Sequence, residues 1–105
     1  MTSYKLFLLN AGFNSENGEK QFCPDCMLIE GVLAVFADRL AGLEVIRVPF
    51  AKPRQLLVEL VGEEHQSCPA LVFEVDGRFV AIDDPKQILS ILRREFDIPA
   101  ARGMA

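Results

Sequence analysis

Gln21-Phe22-Cys23-Pro24-Asp25-Cys26, running at once into the apolar stretch Met27 to Phe36, reads as a loop turning into a helix. Pro24 suits the first helical position, where its missing N–H costs nothing and its fixed φ is already helical. Cys23 then falls at the N-cap, facing unpaired backbone N–H groups and the positive end of the helix dipole. Those surroundings favour a thiolate over a thiol, and the thiolate is the nucleophile. Cys26 lies one turn on, within reach of a short-range disulfide or a shared metal ion. The plain alternative is two small buried residues at a helix start; two cysteines at this spacing behind a strand favour the reactive reading.

Working outward, Tyr4 to Leu9 is a short apolar run that reads as a central buried strand. Residues 10–19 are turn chemistry throughout (Asn10-Ala11-Gly12, Asn14-Ser15, Asn17-Gly18) and predict a surface loop just before the cysteines. Phe13, its one large apolar side chain, either pins the loop to the body or belongs to a flap over Cys23. The helical pattern from Pro24 to Leu40 is so apolar that it predicts cover on most sides, with Gly42 as its stop. Leu43 to Val48 is a strand ended by Pro49, completing a βαβ unit with parallel strands. Pro53 is expected to open a second helix, Arg54 to Val61, with Gly62 as its stop. Ala70 to Val75 and Arg78 to Ile82 flank Asp76-Gly77, a strong hairpin signal. Asp84, Pro85 and Gln87 predict a capping box for a last helix reaching Phe96, and 99–105 reads as a fraying tail.

The 105 residues support one domain, and half of them are hydrophobic and a quarter charged, so the chain is globular. The net charge of −4, with no Lys/Arg-rich run, argues against nucleic acid as a partner. No apolar stretch approaches membrane-spanning length, and Lys5 to Leu9 is too short for a secretory signal. Three cysteines fit a reducing cytoplasm better than a disulfide framework. A Ser/His/Asp set, a phosphate loop and a paired-carboxylate site are not visible in the sequence.

The order β-α-β-α-β-β-α, with Cys-Pro-x-Cys at the first helix and a proline at the third strand, resembles the thioredoxin superfamily over Tyr4 to Phe96. Its short glutaredoxin-like members are the most similar. The chain also resembles a family of short bacterial proteins of unassigned function that share a Gly-Phe loop (Gly12-Phe13), a Pro-Arg segment (Pro53-Arg54) and Gln66-Ser67-Cys68-Pro69. The resemblance implies an α/β, thioredoxin-like three-layer fold with a four-stranded mixed sheet. The first and last helices would share one face and the second would cover the other. It further implies that Pro69 is a cis-proline facing the cysteines, with the Cys68 backbone running beside a bound thiol substrate.

The expected function is thiol–disulfide exchange, with Cys23 attacking and Cys26 resolving the mixed disulfide. The substrate would be a protein or glutathione, the latter as co-substrate, with no resident cofactor. Lys20, three residues before Cys23, would favour its thiolate or is a plain loop charge, and Asp25 between the cysteines would oppose it or is a first-turn acid. Arg47, Lys52 and Arg54 offer cations for a glutathione carboxylate or are ordinary surface charge. Asp83-Asp84 stand where glutaredoxins carry a Gly-Gly pair, which weakens the γ-glutamyl half of such a site. Two alternatives are a non-catalytic binding module and a metal site of Cys23, Cys26, Cys68 and His65. Cys68 is otherwise a small half-buried residue ahead of the proline.

Overall fold

Four of the strands form one mixed sheet in the order β4-β1-β5-β6 in this computed structural model, which describes residues 2–103. The elements are β1 (Lys5–Leu9), β2 (Phe13–Asn14), β3 (Lys20–Gln21), α1 (Pro24–Val35), β4 (Glu44–Val48), α2 (Gln55–Val61), β5 (Ala70–Val75), β6 (Arg78–Ile82) and α3 (Pro85–Phe96). β1 runs parallel to β4 and antiparallel to β5, and β5 and β6 are antiparallel. Leu6, Phe7, Leu8 and Leu9 are buried in succession, so β1 is covered on both faces. α1 touches α3 while α2 lies against β6, giving helices on two sides of the sheet and three layers in all.

Register is held by chemistry as well as shape. Lys5 faces Glu44 across β1 and β4, and its Nζ lies 3.0 Å from Glu44 Oε1. Asp76 (φ 52°) and Gly77 (φ 81°) both take the left-handed backbone that a two-residue type I′ hairpin demands, where the lack of a Cβ makes Gly77 strain-free. Tyr4 meets Phe73 and Phe96 at ring distances of 5.2 and 6.0 Å and donates its hydroxyl to Glu95 Oε1, tying β5 and α3 to the start of β1.

Arg47 of β4 makes a two-pronged pair with Glu30 of α1, at 2.9 Å from Nε and 2.7 Å from Nη2. The guanidinium holds the Glu30 carboxyl below its ordinary range. Both side chains are part-exposed, so Glu30→Gln is expected to cost only about 0.5 kcal/mol at neutral pH. A depressed carboxyl stabilises the fold above its unfolded pKa and loses that contribution as pH falls. Urea titrations of the two proteins should therefore converge on acidification through the ordinary carboxylate range; a gap unchanged with pH would show that the pair contributes through packing instead.

Several boundaries differ from the sequence reading. Residues 10–19 are not a plain loop: Phe13–Asn14 and Lys20–Gln21 pair as a small antiparallel hairpin, closed by Ser15 N–H to Glu19 O and by Gly18 at φ 84°. Phe13 stacks flat on Phe50 at 4.3 Å, which fastens the hairpin to the segment after β4. α1 ends at Val35 rather than Leu40; Phe36 leaves helical geometry (φ −111°), and the turns that follow bring Leu40 and Leu43 into the core as the chain reverses toward β4. Arg39 in that turn donates to Asp97 O and Oδ2 at 2.7 and 2.8 Å.

Nor is α1 covered on most sides. Cys26 and Ile29 are buried, but Leu28 is 48% and Val35 74% exposed, on the side of α1 that α3 and the sheet leave open. Pro53 does not open α2: the Lys52–Pro53 bond is cis, Arg54 is the N-cap, and the helix begins at Gln55. At α3, Asp84 accepts from Lys86 N–H, but Gln87 returns no side-chain bond, so only half of the expected box forms among the described residues. Asp97, at φ 58°, closes the helix, and Ile98 after it is buried.

Candidate functional site

Cys23 occupies the N-cap of α1, with Pro24 at the first helical position. Its Sγ accepts the Cys26 N–H at 3.1 Å, a bond to one of the backbone donors that a helix start leaves free. The same sulfur lies 3.8 Å from the Cys68 carbonyl oxygen, within thiol hydrogen-bonding distance. Three backbone segments thus meet at one sulfur: the end of β3, the start of α1 and the approach to β5. Cys23 is half-buried, whereas Cys26, one turn on, is fully buried. Burial is the main reason that the Cys26 thiol is pushed up to about 12; its bond with Cys23 raises it further, and a Leu9 backbone contact pulls the other way. At neutral pH Cys26 is a thiol. All three cysteines are free.

The facing wall is built from residues 66–69. The Cys68–Pro69 bond is cis, Pro69 is buried and Cys68 half-buried. Burial pushes the Cys68 thiol up to about 11, with the Arg54 guanidinium beside it acting in the opposite sense. Arg54 is the one buried charged side chain among the described residues, at 7% exposure. Its Nε and Nη2 donate to Phe50 O at 3.1 and 2.7 Å, and its Nη1 donates to Gln66 O at 2.6 Å. Gln66 answers by accepting the Arg54 backbone N–H on Oε1 at 2.7 Å, and it donates to Glu63 O at 2.9 Å. The guanidinium also lies 5.7 Å from the Phe50 ring centroid, in cation–π range. No carboxylate pairs with Arg54 among the described residues; carbonyl dipoles hold the buried charge.

The remaining candidates are dispersed. Lys20 is exposed on β3, and Asp25 is exposed in the first turn of α1. Of the basic trio, Arg47 is engaged by Glu30 and Arg54 by carbonyls, so Lys52 alone points to no partner among the described residues. Lys52 lines a groove of about 430 Å³ with Phe50, Ala51 and the hairpin residues Asn14, Ser15 and Glu16. His65 is exposed and lines a different groove, with Val61, Phe79, Val80 and Ala81. Among the described residues no three His, Cys, Asp or Glu side chains are arranged to hold a metal ion, so His65 does not join the cysteines in such a set. No described helix is long and apolar enough to cross a membrane.

Sequence reasoning missed the internal role of Arg54, since a Pro-Arg pair beside a Lys looks like surface charge. It also missed Phe50, whose ring carries the hairpin and whose carbonyl holds Arg54. A signal did exist, in that Pro53-Arg54 and Gln66-Ser67 stood out as separate motifs.

Fold and site together define a mixed α/β domain with a Cys-Pro-x-Cys helix start facing a Cys-Pro wall. The chain belongs to the family described as Protein of unknown function (DUF3088), whose profile matches residues 3–100. No curated protein and no solved structure matches the chain significantly.

Proposed function

We propose that the protein is a thioredoxin-like, glutaredoxin-like thiol–disulfide redox protein of the cytoplasm. The observation that carries the reading is the placement of Cys23: N-cap of α1, sulfur bonded by the Cys26 N–H, opposite the Cys68 carbonyl. The strand order β4-β1-β5-β6 supports the same kinship. In the cycle, the Cys23 thiolate attacks one sulfur of a substrate disulfide, whose other sulfur leaves as a thiolate. Cys26 then gives up its proton and attacks the Cys23 sulfur, releasing the second substrate thiol and closing the Cys23–Cys26 disulfide. The buried Cys26 thiol keeps the mixed disulfide intact until the thiolate released in the first step takes its proton.

The exposed Lys20 and Lys52 line grooves on either side of the hairpin, where an arriving substrate could meet them. Pro69 and the Cys68 backbone form the surface that a substrate thiol would lie along, and Arg54 holds that surface from behind. The start of α3 suits glutathione less well. Asp84 already places a carboxylate on the Lys86 N–H, where a γ-glutamyl carboxylate would bind. Protein disulfides are therefore the better substrate class.

A second reading, a non-catalytic binding module, is favoured by one observation. Phe22 is 60% exposed beside the cysteines, and Leu28 and Val35 continue an apolar stripe along the open side of α1. An assay that couples reduction of a glutathione mixed disulfide separates the two. Wild type is expected to turn over and Cys23→Ser to fall to the uncatalysed rate, about a thousandfold lower. Wild-type turnover no faster than that of Cys23→Ser, with a protein disulfide as substrate as well as with the glutathione mixed disulfide, would assign the domain to binding.

A further inference from the structure

We propose that Cys68 is a second resolving thiol, able to close a Cys23–Cys68 disulfide in competition with Cys26. The inference rests on the redox reading above and adds to it a residue that the two-cysteine cycle leaves unused. Cys23 Sγ sits 3.8 Å from the carbonyl oxygen of Cys68, so the Cys68 sulfur branches from a backbone already in contact with the attacking thiol. The one side-chain torsion of Cys68 turns on a half-buried residue ahead of β5, whereas the Cys26 side chain is fully buried within α1. Cys68 is half-buried, open enough to reach a mixed disulfide formed at the half-buried Cys23.

Burial pushes up the thiols of both Cys26 and Cys68; no cation among the described residues acts against it at Cys26, whereas the Arg54 guanidinium does so at Cys68. Arg54 is buried beside it, holds its charge on carbonyl oxygens alone and has no carboxylate neutralising it among the described residues. A guanidinium so placed stabilises the Cys68 thiolate at the moment the proton leaves. It also fixes Gln66, two residues before Cys68, so the wall does not drift away from Cys23.

The chemistry balances with a low-molecular-weight disulfide as oxidant. The Cys23 thiolate attacks one of its sulfurs, forming a mixed disulfide and releasing one thiolate. Cys68 loses its proton to that thiolate, and its sulfur attacks Cys23 Sγ. The Cys23–Cys68 bond forms, the mixed disulfide breaks, and the second small thiolate leaves and is protonated by solvent. Two protein thiols are oxidised and one small disulfide is reduced to two thiols.

The test uses the Cys26→Ala chain, which removes the competing thiol without burying a hydroxyl, beside Cys26→Ala/Cys68→Ala. Both are exposed to glutathione disulfide after their far-UV circular dichroism is matched to wild type. Free thiols are then blocked, and the proteins are digested with trypsin without reduction. Cleavage after Lys20, Arg39, Arg54 and Arg78 puts Cys23 in peptide 21–39 and Cys68 in peptide 55–78, so their disulfide links two separate peptides. The expected result for Cys26→Ala is that linked pair, with a glutathione adduct at least about tenfold shorter-lived than in the double variant. An adduct that persists equally in both variants overturns the role of Cys68 and leaves the two-cysteine cycle standing. Failure of Cys23 in either variant to form a mixed disulfide with glutathione or with a small activated aromatic disulfide overturns the redox reading, and this inference with it. Should alanine at position 26 unfold the domain, Cys26→Ser alone and with Cys68→Ala puts the same question.

Discussion

Arg54→Leu is expected to lower the unfolding free energy by about 3 kcal/mol, a drop in melting temperature of roughly 12 °C for a domain of this size. The substitution keeps the apolar stem but removes three charge-assisted hydrogen bonds, two to Phe50 O and one to Gln66 O. Each such bond contributes about 1.5–3 kcal/mol where the acceptor is left without a replacement. Loss of the buried charge itself refunds part of this, because no carboxylate compensates it among the described residues. Arg54→Lys should recover less than half of the loss, since a single ammonium cannot span carbonyls that the planar fork reaches from three nitrogens. Urea unfolding under reducing conditions measures both variants. Arg54→Leu within about 0.5 kcal/mol of wild type would show that the carbonyl clamp is not what holds the 50–54 and 66–69 segments together.

How much of this was legible in the sequence follows from the range of the interactions involved. Helix starts and hairpin turns are local, and Pro24, Pro85 and Asp76-Gly77 marked theirs because φ restriction and φ freedom act on neighbouring residues. The four-stranded mixed sheet followed from element order, and its burial on both faces from the unbroken apolar run in β1. What escaped was set by contacts distant in sequence. The hairpin of residues 13–21 is only two residues long on each side and is held in place by the stacking of Phe13 on Phe50, 37 positions away. α1 stops early because Leu40 and Leu43 are drawn into the core, which periodicity within the helix cannot express. Cys23, Cys26 and Cys68 do meet at the Cys23 sulfur, with Pro69 next in the chain, whereas Arg47 is taken by Glu30 and His65 lines a separate groove. Charge in a sequence does not declare its partner; that is why Arg54 read as surface and is buried.

The stability of the reduced protein is expected to fall as pH rises above about 9, and the buried thiol of Cys26 to account for much of the slope. An ordinary thiol ionises near 9.0, but burial in the folded protein pushes Cys26 up to about 12. Between these values the unfolded chain has released the proton and the folded chain still holds it. The unfolded state then binds fewer protons, so unfolding becomes easier with each pH unit; the contribution is complete below the unfolded pKa and is lost on approach to the folded one. One such thiol sets a limiting slope of about 1.4 kcal/mol per pH unit. Cys68, raised to about 11, and Tyr4, raised by burial and its bond to Glu95, act in the same direction, so a single protein's pH profile does not isolate Cys26. The difference between wild type and Cys26→Ala does. At about pH 8 wild type should be the more stable, through the buried sulfur that alanine lacks. From there to about pH 10.5 the gap should close by roughly 2 kcal/mol, as only wild type carries the penalty of keeping that thiol protonated. Urea titrations with a thiol reductant present at each pH give the comparison, and a gap constant across that range would mean that the folded protein ionises Cys26 as readily as the unfolded chain does.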